Sequence, residues 1–153
     1  MKIESIKIKH IVEEQPDLSW LGTYSNTPTE HYIDRQERGD MGRNEFRYFN
    51  LGCGELEYLE KDYERAESYN NQQWCCIGIV AEATVSYHKG AGCSRLETLS
   101  SGGLWGVESD SGDYLDTIAD DELEDLRDHL KEFGISCADE DWIELCEQAK
   151  AKV

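Results

Sequence analysis

The segment WCCIGIVAEATVSYH at positions 74–88 is the feature that most constrains the fold. Every second residue from Cys75 to Tyr87 is apolar, which is the pattern of a long β-strand. The following HKGAGCS is typical of a turn, and RLETL and GLWGV beyond it provide a return strand. The intervening Ser-Ser-Gly-Gly predicts a bulge or sharp bend at Gly102–Gly103.

Weaker periodicity marks the other elements. The alternation over 6–12, with Ile6, Ile8, His10 and Val12 on one mostly apolar face, predicts an opening strand, and the short EFRYF at 45–49 alternates charge and aromatic ring as a strand does. Apolar residues recur at helical spacing over 55–70, between Ala119 and Phe133, and from about Asp139 onward. Gly134 is a stop signal for the second helix, and Asp120 or Asp121 can cap its start. The stretch 16–44 has no sustained period, so we expect an ordered loop there.

Strands that come early and helices that come late predict the α+β class. We expect an antiparallel sheet of about four strands, with three helices packed mainly on one face. A chain of 153 residues without a linker sequence predicts a single domain over 1–153, with an acidic helical third at 108–153.

The negative charge of the chain disfavours binding to nucleic acids and to anionic membranes. The formal net charge is −18, and residues 101–153 alone carry 16 acids and 4 bases, a net charge of −12. Such a field repels nucleic acids and anionic membranes, and it attracts basic surfaces. Direct binding to nucleic acid is therefore disfavoured.

The acids concentrate in VESDSGDYLDTIADDELEDLRD at 107–128, and we expect all of them, Glu122 included, on an entry loop and the outer face of the long helix. A helix rises about 1.5 Å per residue, so carboxylates on one face can approach the charge density of DNA, about one charge per 1.7 Å. The hypothesis is a surface that occupies a groove built for phosphates. A solubilising face is the alternative, although a net charge of about 2–8 suffices for solubility. The residues expected to bind a partner are Glu108, Asp110, Asp113, Asp116, Asp120, Asp121, Glu124, Asp125 and Asp128.

Arginines form a second group within DRQERGDMGRNEFR: Arg35, Arg38, Arg43 and Arg47. Neighbouring acids favour intrachain ion pairs, and an anion pocket is the alternative. A small-molecule-binding or catalytic domain would have its pocket where Trp105 meets Trp20 and the Arg35–Arg47 loop. No GxSxG, P-loop, HExxH or CxxC motif occurs, so we expect no catalytic residue, no cofactor and no metal site.

The opening MKIESIKIKHIVEEQ lacks the apolar core of a signal peptide, and no apolar run reaches the roughly 20 residues that span a bilayer. We therefore expect a cytoplasmic protein without membrane contact.

Four stretches resemble motifs of small acidic proteins encoded by phages, prophages and plasmids: RNEFRYF (43–49), ESYNNQQW (67–74), GIVAEATV (78–85) and SGGLWGVESDSGDYL (101–115). Members of that family carry similar R-N-E-[YF]-R-Y-F and S-G-G-L-W-G-[IV]-E-S-D-S stretches. The resemblance covers most of the chain and implies a mobile element acting in the cytoplasm of a bacterial host. It transfers no catalytic or binding residue.

Charge and resemblance together predict a non-enzymatic counter-defence protein of the anti-CRISPR or antirestriction type. Its acidic face would take the place of nucleic acid on the basic surface of a host defence protein, either a CRISPR effector or a restriction enzyme. A third interpretation is an accessory protein that binds a host factor without imitating nucleic acid.

Overall fold

The computed structural model describes residues 1–42, 44–90 and 93–153, without the side chains of Lys89 and Cys93. Its chain divides into two compact units. The first comprises residues 1–14 and 76–153, and the second comprises residues 15–75. That the whole chain forms one domain stays a prediction.

The first unit contains a four-stranded antiparallel sheet around one central strand. The strands are β1 (Lys2–Val12), β5 (Cys76–Lys89), β6 (Cys93–Ser100) and β7 (Leu104–Glu108). β1 pairs with one edge of β5, while β6 and β7 follow each other along the opposite edge. The break between them falls at Ser101–Gly103, where Gly103 has a φ of 78°. The predicted central strand, its return partner and its bend are therefore confirmed. Part of the predicted turn, Ala91 and Gly92, lies outside the described residues.

A bulge at Glu4 determines which side chains of β1 face the core. Ile3 pairs with Val85, whereas Ser5 pairs with Thr84, so Glu4 is the extra residue. Two residues separate Ile3 from Ile6, and an unbroken strand would place them on opposite faces. The bulge brings both side chains into the core.

Two helices cover one face of this sheet. They are α3 (Tyr114–Glu132) and α4 (Asp139–Lys150). Alternate residues of β5 pack against them, and the α+β class is confirmed. The core consists of Ile3, Ile6, Ala81, Ala83, Val85, Leu123, Leu126, Leu130, Ile135, Trp142 and Ala149.

The predicted end of α3 is right, and its predicted start is wrong. Gly134, with a φ of 71°, donates to the carbonyl of Lys131, and the N–H of Ile135 donates to that of Leu130, which together form a Schellman motif. The helix starts at Tyr114 with Asp113 as its N-cap, so neither Asp120 nor Asp121 caps it. Burial of Ile118 extends the apolar face upstream and sustains the additional turns.

The second unit is a small sheet with a helix packed on it. Its strands are β2 (Gly22–Ser25), β3 (Tyr32–Asp34) and β4 (Tyr48–Leu51), in the order β2–β4–β3. α1 (Arg35–Arg38) is a single turn, and α2 (Leu59–Asn70) follows the 3-10 helix Leu56–Tyr58. Phe49, fully buried, contacts the rings of Tyr24 and Tyr63. The predicted loop over 16–44 is therefore corrected to β2, β3 and α1, whose three or four residues are too few to show a period.

Candidate functional site

The outer face of α3 is a row of carboxylates. Asp116, Asp120, Glu124 and Asp128 follow one another at intervals of four residues, and all four side chains are exposed. Each interval advances about 6 Å along the helix axis, so the four groups form one ridge. The other exposed acids between positions 113 and 128 are Asp113, Asp121 and Asp125, which lie beside it. We call these seven residues the acidic face.

Charge density on the acidic face is comparable to that of one DNA strand. Seven carboxylates between Asp113 and Asp128 span about 22 Å at 1.5 Å per residue, which is about one charge per 3 Å. One strand of duplex DNA carries about one charge per 3.4 Å. The match is in linear density and sign.

Two members of the acidic face form salt bridges. Asp120 pairs with Lys150 of α4, and Asp128 pairs with Lys131 at 2.7 Å. Both pairs are solvent-exposed, and such pairs contribute little to stability, about 0–1 kcal/mol. Within the described part of the chain, no salt bridge involves the other five: Asp113, Asp116, Asp121, Glu124 and Asp125.

The remaining two predicted partner-binding residues precede the helix. Glu108 ends β7 and is half-buried, and Asp110 is exposed in the turn that leads to α3. Six of the nine predicted residues therefore lie on α3 and Asp113 is its N-cap, with Glu108 and Asp110 in the segment before it.

Glu122 faces the opposite way from the rest of the acidic run. Its side chain is 6% exposed, and its carboxylate accepts a hydrogen bond of 3.0 Å from the backbone N–H of Gly103. Grouping it with the acidic surface is therefore wrong. The signal was available, because Glu122 lies four residues from both Ile118 and Leu126, which are buried.

One further contact ties α3 to the break between β6 and β7, and two hydrogen bonds of Ser101 anchor the break to β5. Nδ1 of His129 lies 3.1 Å from the carbonyl oxygen of Ser100. The buried Ser101 donates its N–H to the Ala81 carbonyl, and its Oγ accepts the Ala81 N–H at 3.0 Å. The sheet bend therefore fixes the position of the helix that carries the acidic face.

In the second unit, Arg35 is buried and does not form an anion pocket. Its side chain is 1% exposed, and its five N–H groups meet oxygen acceptors. Nη1 donates to the carbonyls of Asn44 and Phe46, Nη2 donates to those of Asp40 and Met41, and Nε donates to the Tyr63 hydroxyl. The guanidinium therefore holds the backbone of the following loop in place.

The other two described arginines of the segment 35–47 form ion pairs, as expected. Arg47 binds Asp34 through two nitrogens, with Nη2 at 2.7 Å. Arg38 pairs with Glu60 of α2 rather than with an acid of its own segment. Arg43 lies outside the described residues.

Trp105 belongs to a different unit from the Arg35–Arg47 loop. Its ring covers Gly78 on the sheet, since a Cβ at Gly78 would lie 2.6 Å from Cδ2 of the indole. The side chain remains 47% exposed. A pocket that Trp105 shares with the arginine loop stays a prediction.

No family model, characterised protein or solved structure matches the chain. Over the described ranges, none of the helices is both long and apolar enough to cross a membrane. The same ranges contain no group of three or more His, Cys, Asp and Glu side chains arranged to hold a metal ion.

Proposed function

We propose that the acidic face of α3 occupies a basic, nucleic-acid-binding surface on another protein. The observation that carries this proposal is the row of seven exposed carboxylates, spaced along about 22 Å at the linear charge density of one DNA strand. The partner we propose is a host defence protein, either a CRISPR effector or a restriction enzyme. We infer a bacterial host defence protein as the partner from the resemblance to phage, prophage and plasmid proteins.

Two features of the structure support a binding role over a solubilising one. Five of the seven acids form no salt bridge with described residues, so their charge is available to a partner. Like charges four residues apart destabilise a helix by about 0.2–0.5 kcal/mol per pair. The ridge on α3 carries three such pairs in succession, a cost that solubility alone does not require.

The mechanism is occlusion. Lys and Arg side chains that contact phosphates in the partner would contact carboxylates instead. Opposite fields accelerate the encounter, and the bound protein excludes nucleic acid from the same surface. Because exposed charges are screened by ions, affinity is expected to fall as salt rises.

A capture experiment with matched variants tests the proposal. The tagged protein is immobilised, exposed to bacterial lysate at low salt, and washed first with duplex DNA and then with a salt gradient. The proposal predicts that DNA releases a nucleic-acid-binding protein from the wild type. It also predicts that the variant Asp121→Lys with Glu124→Lys captures none of that protein.

The control is Glu55→Lys with Glu57→Lys, which makes the same change in net charge at exposed positions of the second unit. It should capture the same protein as the wild type. Equal capture by both double variants would overturn the proposal, because net charge rather than the acidic face would then be responsible.

A further inference from the structure

The second unit contains an open groove lined by side-chain amides. Its volume is about 990 Å³, within the range of about 300–1,000 Å³ typical of ligand pockets. The end of α2, Asn26 and the segment around Phe46 line it. A second cavity of about 460 Å³ lies next to it and shares Gly42, Glu67 and Asn71 in its lining.

Arg35 holds four backbone carbonyls beside this groove. The buried guanidinium of Arg35 donates hydrogen bonds to the carbonyls of Asn44 and Phe46 through Nη1. It donates to those of Asp40 and Met41 through Nη2. A wall held by charge-assisted hydrogen bonds needs little ordering when a ligand binds, and this lowers the entropic cost of binding.

Hydrogen bonds fix which end of two amides is available. The Oδ1 of Asn26 accepts the backbone N–H of Arg47 at 3.2 Å, and the Oδ1 of Asn44 accepts that of Phe46 at 3.1 Å. A backbone N–H can only donate, so the bonded atom in each amide is its oxygen. Both NH2 groups are therefore donors with no other partner among the described residues.

A third amide offers the opposite polarity. The hydroxyl of Tyr24 donates to the Glu67 carboxylate at 2.6 Å, so it accepts from the Nδ2 of Asn70 at 3.0 Å. The Oδ1 of Asn70 is thus left as an acceptor. The groove therefore presents two donors and one acceptor whose orientations are set by the fold.

Charge and shape select the class of ligand. Among the described lining residues, Glu45 and Glu67 carry negative charge and all five N–H donors of Arg35 are used internally, so this described lining disfavours a phosphate or carboxylate. Hydroxyl groups both donate and accept, so they match donors and acceptors together. Phe46, 45% exposed, offers an aromatic face to the C–H groups of a sugar ring.

We propose that this groove binds a neutral sugar or short oligosaccharide through the NH2 groups of Asn26 and Asn44, the Oδ1 of Asn70 and the ring of Phe46. The site is independent of the acidic face and uses no residue of α3.

The test is a titration of the isotope-labelled full chain, with the side-chain NH2 resonances followed by NMR. The probes are maltotriose, cellotriose and triacetylchitotriose, with glucose 6-phosphate as the anionic comparison. At least one neutral trisaccharide should shift the NH2 signals of Asn26 and Asn44 saturably below about 20 mM, and glucose 6-phosphate should not.

Isosteric variants separate recognition from folding. Asn26→Asp and Asn44→Asp keep the oxygen that accepts the backbone N–H, and each removes the NH2 donors. Each should weaken binding about tenfold or more, the equivalent of one lost hydrogen bond. Gln15→Glu makes the same change in charge at an exposed position outside the groove and should bind like the wild type.

Three results would overturn the proposal. They are no saturable shift with any of the three trisaccharides, affinity unchanged in both Asn→Asp variants, and stronger binding of glucose 6-phosphate than of the neutral sugars. Each of these results can be obtained whether or not the acidic face binds a partner, so the two proposals are tested separately.

Discussion

The carboxylate of Glu122 accepts the backbone N–H of Gly103 at 3.0 Å, and this hydrogen bond joins α3 to the bend between β6 and β7. Gly103 has a positive φ, and a Cβ there would lie 2.7 Å from Cγ2 of Val80. The bend therefore needs glycine, and α3 needs an acceptor at position 122. Glu122, which faces inward, thereby holds α3 against the sheet. The exposed acids of the acidic face are carried on the same helix.

We expect Glu122→Ala to lower the free energy of unfolding by about 1–3 kcal/mol, because it removes the acceptor of the Gly103 N–H. Glu122→Gln keeps an oxygen at that position and should lose less than half as much. Glu124→Ala is the control on the exposed face, and its effect should stay within about 0.5 kcal/mol. Urea unfolding measures all three. A loss in Glu122→Ala no larger than that in Glu124→Ala would contradict the role of the bond.

A methyl group at position 78 should displace Trp105. We expect Gly78→Ala to destabilise the protein by about 1–3 kcal/mol, because the added Cβ would overlap the indole ring. The indole N–H resonance of Trp105 should shift in the folded state, which NMR of the isotope-labelled full chain records. Gly102→Ala is the matched control, since its Cβ meets nothing within 4 Å. Equal effects of the two substitutions would refute the close packing of Trp105 on Gly78.

Arg35 should not tolerate lysine. An ammonium group has three donors and no planar fork, so Arg35→Lys leaves carbonyl acceptors of the loop unpaired. We expect a loss of about 2–4 kcal/mol in the free energy of unfolding. Arg95→Lys, at an exposed ion pair with Glu97, should change it by less than about 0.5 kcal/mol. Chemical denaturation distinguishes the two, and similar values would mean that the Arg35 network contributes no stability.

Asp34 should make part of the stability sensitive to acid. Hydrogen bonds from Arg47 hold the pKa of this carboxyl below its ordinary value of 3.8. A carboxyl with a lowered pKa in the folded state stabilises the protein above its unfolded pKa, and the contribution is lost as the pH falls through the folded pKa. The advantage of the wild type over Asp34→Asn should therefore be constant near neutral pH and shrink below about pH 4. Urea unfolding over a pH series measures it, and an advantage that grows on acidification would contradict this assignment.

Long elements with a sustained period could be predicted from the sequence. The alternation in β5 and the apolar spacing in α3 each extend over many residues, so burial of one face is visible in the residue types. The turn at Gly102–Gly103 was also predictable, because glycine pairs in a strand mark a bend. Residue type predicted the acids of the acidic face, but the predicted helix start near 119–121 left Asp113 and Asp116 in the preceding loop.

The second unit could not be predicted in the same way. Its strands have three or four residues, and their stability comes from the rings around Phe49, which are distant in sequence. A buried Arg35 contradicts the usual location of arginine at the surface, and its acceptors are backbone carbonyls that carry no sequence signal. The amide groove depends on the same tertiary contacts.

The most direct test of the acidic face is displacement of a labelled DNA duplex of about 20 base pairs from the protein captured in the lysate experiment. We predict that the wild type releases the duplex in a salt-dependent manner. Glu55→Lys with Glu57→Lys should do so equally well, whereas Asp121→Lys with Glu124→Lys should need at least about tenfold more protein. A captured protein that holds the duplex and the wild type at the same time would show that the acidic face does not take the place of nucleic acid.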